Sequence, residues 1–167
     1  MTNPGAATAT TASRSTWQAK ECHQRGYRLV AKNPEFLRRQ AMHLAYLALA
    51  GPLTRGLYVL AKQLPPAMAT SNQSDRFDFC LAARLLLRQL QAAGKKKVRA
   101  NLPRRLPLWN AESVYGLAGL EEFFRDETED LAKAFDARNG NDYYARQIEE
   151  TLQRPQTITP PPLASAE

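Results

Sequence analysis

Apolar residues recur along most of this chain at the three- and four-residue spacing that buries one face of an α-helix. The clearest stripe lies in residues 53–64 and consists of Leu53, Leu57, Leu60, Ala61 and Leu64. Residues 75–93 are apolar around most of the helical circumference, which is typical of a helix in the centre of a bundle. No stretch shows convincing strand alternation, so the pattern predicts an all-α fold.

Cap and break signals divide this pattern into five or six helices. Asn33-Pro34-Glu35 combines an N-cap side chain, a proline suited to the first turn and an acid near the positive end of the helix dipole. Glycine and proline mark the expected ends, at Gly51-Pro52, Pro65-Pro66, Gly94 and Asn139-Gly140. The expected helices cover residues 17–32, 34–50, 53–64, 75–93, 110–138 and 142–154.

The remaining segments lack a helical period. Residues 95–109 contain Pro103 and Pro107, and we expect a loop there. Residues 1–15 are rich in Ala, Thr and Ser, and residues 155–167 are rich in proline, so both are expected to be disordered tails. A length of 167 residues is that of one domain. The sequence therefore predicts a single bundle-like helical domain at residues 16–154.

Hydropathy also bears on location. No run approaches the ~18 consecutive apolar residues of a membrane-spanning helix. The N-terminal residues lack the apolar region of a secretory signal, whereas an organellar targeting role for them stays open. We therefore expect a cytoplasmic protein with no membrane partner.

Charge is distributed unevenly along the chain, although the net charge is only +7. Residues 1–105 hold 18 Lys and Arg against 4 Asp and Glu, whereas residues 106–167 hold 5 against 12. A strongly basic part suggests an acidic partner, of which nucleic acid is the commonest. Alternatively, the two parts neutralise each other across a folded interface.

The strongest local feature is the basic stretch from Lys95 to Arg105, in which six of eleven residues are cationic. Clustered cations suit phosphate backbones because binding releases condensed counterions, and the nearby Trp109 offers a surface on which a base could stack. Helical spacing would place cations of the preceding segment on one adjoining face. The candidate nucleic-acid-binding residues are Arg84, Arg88, Lys95, Lys96, Lys97, Arg99, Arg104, Arg105 and Trp109. The alternative is a solvated loop with Trp109 as a core anchor.

A helix-turn-helix around Gly51-Pro52 is a weaker hypothesis. Leu57 and Leu60 would pack inward, while Thr54, Arg55, Tyr58 and Lys62 would face outward. Pro52 is awkward in such a turn, and two helices joined in this way are more often an antiparallel hairpin.

The spacing of acidic, cysteine and histidine residues gives little support for a metal site or a nucleophilic active site. Acidic side chains at Glu122, Asp126 and Asp130 share a helix face, but magnesium sites of this kind need a second acidic helix opposite. Cys22-His23, His43 and Cys80 do not have the spacing of a zinc site, and nothing orients a Cys–His pair. We therefore expect no enzyme activity, metal or cofactor.

These observations favour a non-enzymatic nucleic-acid-binding protein that acts as a regulatory or accessory subunit alongside other proteins. Accessory subunits of ribonucleoprotein complexes and small plasmid or phage regulators are similar in size, helicity and charge, though that similarity transfers no residue. DNA and RNA are not distinguished. The alternative hypothesis is a helical protein–protein adaptor or a chaperone subunit of a larger complex.

Overall fold

A computed structural model describes residues 21–22, 25–26 and 36–154. Both predicted tails, most of the predicted helix at 17–32 and the helix-start signal at residues 33–35 lie outside this part of the chain. The four described residues near the N-terminus have helical backbone, and Arg25 forms an ion pair with Glu21 at 2.7 Å.

Five helices and one pair of short strands make up residues 36–154. The helices are α1 (Leu37–Ala50), α2 (Leu53–Ala69), α3 (Gln73–Ala92), α4 (Leu117–Asn139) and α5 (Tyr143–Leu152). The strands are β1 (Lys97–Arg99) and β2 (Val114–Gly116). The predicted all-α class is confirmed, because the sheet is limited to these six residues. None of the described helices has the length and apolarity needed to cross a membrane.

The α3 helix lies at the centre of the fold. It packs against each of the other four helices, and almost every side chain from Phe77 to Leu87 is buried. The predicted central position of this helix is therefore confirmed. Close packing is achieved where Gly56 of α2 meets Leu86, since a Cβ at Gly56 would lie only 2.6 Å from Leu86 Cδ1.

The α2 helix is longer than predicted, and the expected break at Pro65-Pro66 is wrong. Two prolines remove two backbone hydrogen bonds from the helix. The last turn nevertheless continues to Ala69, because Leu64 and Ala67 on either side of the prolines are completely buried in the core. Tertiary packing outweighs the local propensity here.

The expectation of a loop without strands at residues 95–109 is wrong in part. β1 pairs antiparallel with β2, with Lys97, Val98 and Arg99 opposite Gly116, Tyr115 and Val114 respectively. Exposed and buried residues alternate strictly from Lys97 to Leu102, which is the period of a half-buried strand. This alternation is visible in the sequence but spans only six residues.

The helix expected to begin at Asn110 begins instead at Leu117. The Asn110 side chain closes a turn: its Nδ2 donates to the Val114 carbonyl at 2.9 Å, and its Oδ1 accepts from the Val114 N–H at 3.4 Å. Ser113, in the left-handed region at φ 54°, completes this turn, and its carbonyl accepts from Ala100 N–H. The residue that looked like an N-cap therefore stabilises the connection into β2.

Candidate nucleic-acid interface

The basic stretch belongs to a structure that we call the basic hairpin, residues 95–116, which contains β1, β2 and their connection. It starts where α3 ends in a Schellman motif, with Gly94 at φ 80°. Gly94 N–H donates to the Gln91 carbonyl and Lys95 N–H to the Leu90 carbonyl, as that motif requires. Gly94 was predicted to end the helix, and this is confirmed. Lys95 and Lys96 thus leave the helix at a fixed point, close to its negative dipole end.

Strand geometry orients the next two cations. Val98 and Tyr115 are paired across the two strands, and both are buried against the core. Since successive side chains of a strand point to opposite faces, Lys97 and Arg99 are directed outward, and both are exposed. The buried face of the hairpin therefore fixes its cationic face.

A tight turn presents the last two cations. Leu106 N–H donates to the Pro103 carbonyl at 3.0 Å, so Arg104 and Arg105 occupy the central positions of a β-turn. Leu102 and Leu106, at 4% and 6% exposure, anchor both sides of this turn in the core. The Arg104 guanidinium lies over the Trp109 ring, 5.4 Å from its centroid. Trp109 is half-buried, so it is neither a free stacking surface nor a fully enclosed core residue.

All six cations of the basic hairpin are exposed, and none forms an ion pair with a residue that the structure describes. Within residues 95–116 the sole acidic residue is Glu112, which leaves a net charge of +5 on 22 residues. The predicted residues Lys95, Lys96, Lys97, Arg99, Arg104, Arg105 and Trp109 are thus brought together on one supersecondary structure.

Arg84 departs from the predicted interface. Its side chain is only 3% exposed, with Nη2 lying 3.2 Å from Glu121 Oε1 and Nη1 donating to the Thr128 hydroxyl at 2.9 Å. Burial lowers the pKa of Arg84, and the charge of Glu121 opposes that shift. The helical spacing of Arg84 with Arg88 is real, but α4 covers the face on which Arg84 lies. Arg88 is half-exposed, with Nε 3.9 Å from Glu121.

Acidic residues of α4 pair with the arginines of α3, and none in the described part of the chain pairs with a cation of the basic hairpin. Glu121 contacts Arg84 and Arg88, Glu129 lies 3.7 Å from Arg84, and Glu127 pairs with Arg76. The alternative that the basic and acidic parts neutralise each other within the protein therefore explains the positive charge of α3. It does not extend to the cations of residues 95–105.

A groove that no local sequence pattern indicates runs between the basic hairpin and the exposed side of α2. It has a volume of about 610 Å³. Tyr58 and Lys62 lie on its α2 wall, and Arg99 and Asn101 lie on its hairpin wall. The helix-turn-helix hypothesis did place Tyr58 and Lys62 on an outward face, and both are exposed, as are Thr54 and Arg55. Of its two inward residues, Leu60 is buried, and Leu57 is partly buried against the core at the edge of this groove.

The cysteines and acids of the described residues are not gathered into a metal site. No group of three or more His, Cys, Asp and Glu side chains in the described ranges is placed to hold a metal ion. Cys22 is exposed, while Cys80 is buried in α3, where burial raises the pKa of its thiol to about 12.

In comparisons with known proteins, no family model, no curated protein and no solved structure matches this chain.

Proposed function

We propose that this protein binds nucleic acid through its basic hairpin, as a non-enzymatic accessory subunit of a ribonucleoprotein or DNA-processing assembly. The observation that carries the proposal is a set of six exposed cations with no described ion-pair partner, held on a hairpin whose other face is buried. Such a set matches the regular negative charge of a phosphate backbone.

Preorganisation supports this role. Long cationic side chains on a flexible loop lose conformational entropy when they bind, whereas a fixed backbone limits that cost. In the basic hairpin the backbone of Lys97 and Arg99 is fixed by strand pairing, and Trp109 restrains Arg104. Arginine also offers planar, bidentate hydrogen bonding to phosphate oxygens. The hairpin thus provides a surface on which phosphates can bind with little rearrangement.

The test compares two variants with the same net charge. The hairpin variant carries Lys95→Gln, Lys96→Gln, Arg104→Gln and Arg105→Gln. The control variant carries Lys133→Gln, Arg138→Gln, Arg146→Gln and Arg154→Gln, all at exposed positions of the C-terminal part. Binding to labelled DNA and RNA oligonucleotides is measured by fluorescence anisotropy over a range of salt concentrations.

The hairpin variant should bind far more weakly than the parent and lose ~0.7–0.9 from its log–log salt slope for each phosphate contact removed. At about 0.15 M salt the control variant should bind almost as well as the parent, because its four positions are screened from the hairpin. Equal losses in both variants would mean that net charge alone attracts the polyanion, and would refute the hairpin assignment.

The adaptor or chaperone hypothesis predicts a different outcome. A mainly apolar protein interface should respond little to salt, because counterion release contributes little to it. Recovery of protein partners without nucleic acid, at an affinity insensitive to salt, would therefore favour the adaptor.

A further inference from the structure

We infer that the nucleic acid is single-stranded and lies in the groove between α2 and the basic hairpin, with a base stacked on Tyr58. This inference rests on the proposed function and specifies its ligand. It concerns a tyrosine and a groove that are separate from the turn at Arg104 and Arg105.

Tyr58 stands between two depressions of the surface. The groove of about 610 Å³ lies on one side, with Thr54, Leu57 and Lys62 of α2 facing the hairpin segment 99–103. A second depression of about 440 Å³ lies on the other side, where Arg55 also contributes to the lining. The Tyr58 side chain is 63% exposed and makes no ring contact or ion pair with any described residue. A large ring of this kind offers a face on which a base can stack.

The charges around Tyr58 have one sign. Arg55 lines one depression, and Lys62 and Arg99 line the other, whereas no Asp or Glu among the described residues lines either of them. None of these three cations forms an ion pair with a described residue. An aromatic ring flanked by cations, in a positively charged groove, is the arrangement that binds single strands by stacking and backbone contacts together. Asn101, at the hairpin wall, adds an amide that can both donate to and accept from a base edge.

The shape of the surface favours a single strand over a duplex. A duplex is read by an element that protrudes into its major groove, which is ~12 Å wide, and its base faces are already stacked. Here the exposed side of α2 is flanked by the hairpin, so Tyr58 is bordered by depressions on both sides and does not lie on a freely protruding helix.

Trp109, the aromatic residue that the sequence suggested, is less suited to stacking. The Arg104 guanidinium already lies over its ring, and the ring is half-buried. Tyr58 is the more accessible of the two, and it belongs to the α2 helix.

The test uses a labelled oligothymidine, an oligouridine and a duplex of the same length, at about 0.15 M salt. Tyr58→Ala should weaken single-strand binding about 5- to 150-fold, the range for loss of one stacked base. Tyr58→Phe, which keeps the ring, should bind within about twofold of the parent, and duplex binding should not depend on Tyr58. Tyr143→Ala is the matched control, because Tyr143 is 56% exposed on the distant α5 helix. A photoreactive strand containing 4-thiouridine should cross-link to the peptide that carries Tyr58.

Each result bears on one of the two proposals. If the parent binds neither single strands nor duplex, the proposed function and this inference both fail. If binding depends on the hairpin cations but is unchanged in Tyr58→Ala, the proposed function stands and the groove assignment is wrong. If poly-glutamate displaces the strand equally well from the parent and from Tyr58→Ala, the surface accepts acidic polymers generally, and the single-strand inference is again wrong.

Discussion

The buried pair of Arg84 and Glu121 is the point at which the basic and acidic parts of the chain meet. Removing two charges from water is costly, and the pair recovers that cost only through close geometry and additional hydrogen bonds. Here the Thr128 hydroxyl accepts from Arg84 and itself donates to the Phe124 carbonyl at 2.8 Å. The pair therefore joins α4 to α3 at a defined position. Its effect on stability is expected to be largest when one partner is removed and the other charge stays buried.

Glu121→Gln should lower the free energy of unfolding by about 3 kcal/mol, because Arg84 would remain buried without its nearest carboxylate. The more distant Glu129 compensates only in part, since it lies 3.7 Å away and is 57% exposed. Urea denaturation measures the loss. Glu122→Gln is the control: its ion pair with Arg125 is largely exposed, and its removal should cost less than about 1 kcal/mol. Equal stability of the two variants would contradict the structural role given to Glu121.

The two cysteines should differ sharply in reactivity. The thiolate is the reactive form, and a pKa of about 12 keeps Cys80 protonated at neutral and mildly alkaline pH. A thiol reagent at pH 8 should therefore modify Cys22 in the native protein, and Cys80 only after denaturation. The raised pKa of Cys80 also makes the stability of the protein depend on pH. Above about pH 9 the unfolded state releases a thiol proton that the folded state keeps, so stability should fall as the pH rises from 9 towards 12. Rapid modification of a second thiol in the native protein at pH 8 would contradict the predicted protection of Cys80.

At the scale of elements, local patterns predicted the helices well and the short strands poorly. The apolar period and the glycines at Gly94 and Gly140 are properties of neighbouring residues, and the helix ends there are confirmed. The helix past Pro65-Pro66 and the pairing of β1 with β2 depend on contacts distant in sequence. A three-residue strand carries too little alternation to be recognised without its partner.

The candidate site was also predictable only where local sequence determines it. The six cations of residues 95–105 were identified from composition, and all are exposed. Arg84 was placed on the surface because helical spacing says which residues share a face, but not which face another helix covers. Glu121 lies 37 residues further along the chain, so no local pattern could indicate the pairing. The groove required the tertiary placement of α2 beside the hairpin.

Glycine substitutions test the close approach of α2 and α3. Gly56→Ala should destabilise the protein by about 1–3 kcal/mol, because the new methyl group would meet the fully buried side chain of Leu86. Gly119→Ala is the matched control in α4, where a Cβ would meet no atom of the described residues within 4 Å. That change should be stabilising by about 0.5 kcal/mol through helix propensity. Thermal or urea unfolding of both variants gives the comparison, and loss of stability in neither would argue against the tight α2–α3 contact.

At the scale of the whole molecule, the acidic and basic parts are arranged so that one surface keeps its positive charge. Glu121 and Glu127 of α4 form ion pairs with arginines of α3, and the cations of the basic hairpin lie outside these pairs. Two further acids, Asp126 and Asp130, are exposed on α4. At a rise of 1.5 Å per residue they lie ~14 Å and ~20 Å along the helix from its start at β2. Both distances exceed the Debye length of ~8 Å at physiological salt.

The double variant Asp126→Asn/Asp130→Asn should therefore bind nucleic acid as the parent does at about 0.15 M salt, because these acids are screened from the hairpin. At about 0.01 M salt the Debye length grows to ~30 Å, and the variant should then bind more tightly than the parent. Lys133→Gln, on the same helix, changes the charge in the opposite direction and should weaken binding at low salt alone. Anisotropy titrations at both salt concentrations measure these effects. Tighter binding by the double variant at 0.15 M salt would mean that α4 shields the hairpin at short range. The exposed cations of the hairpin would then be partly neutralised within the protein, contrary to the charge separation described above.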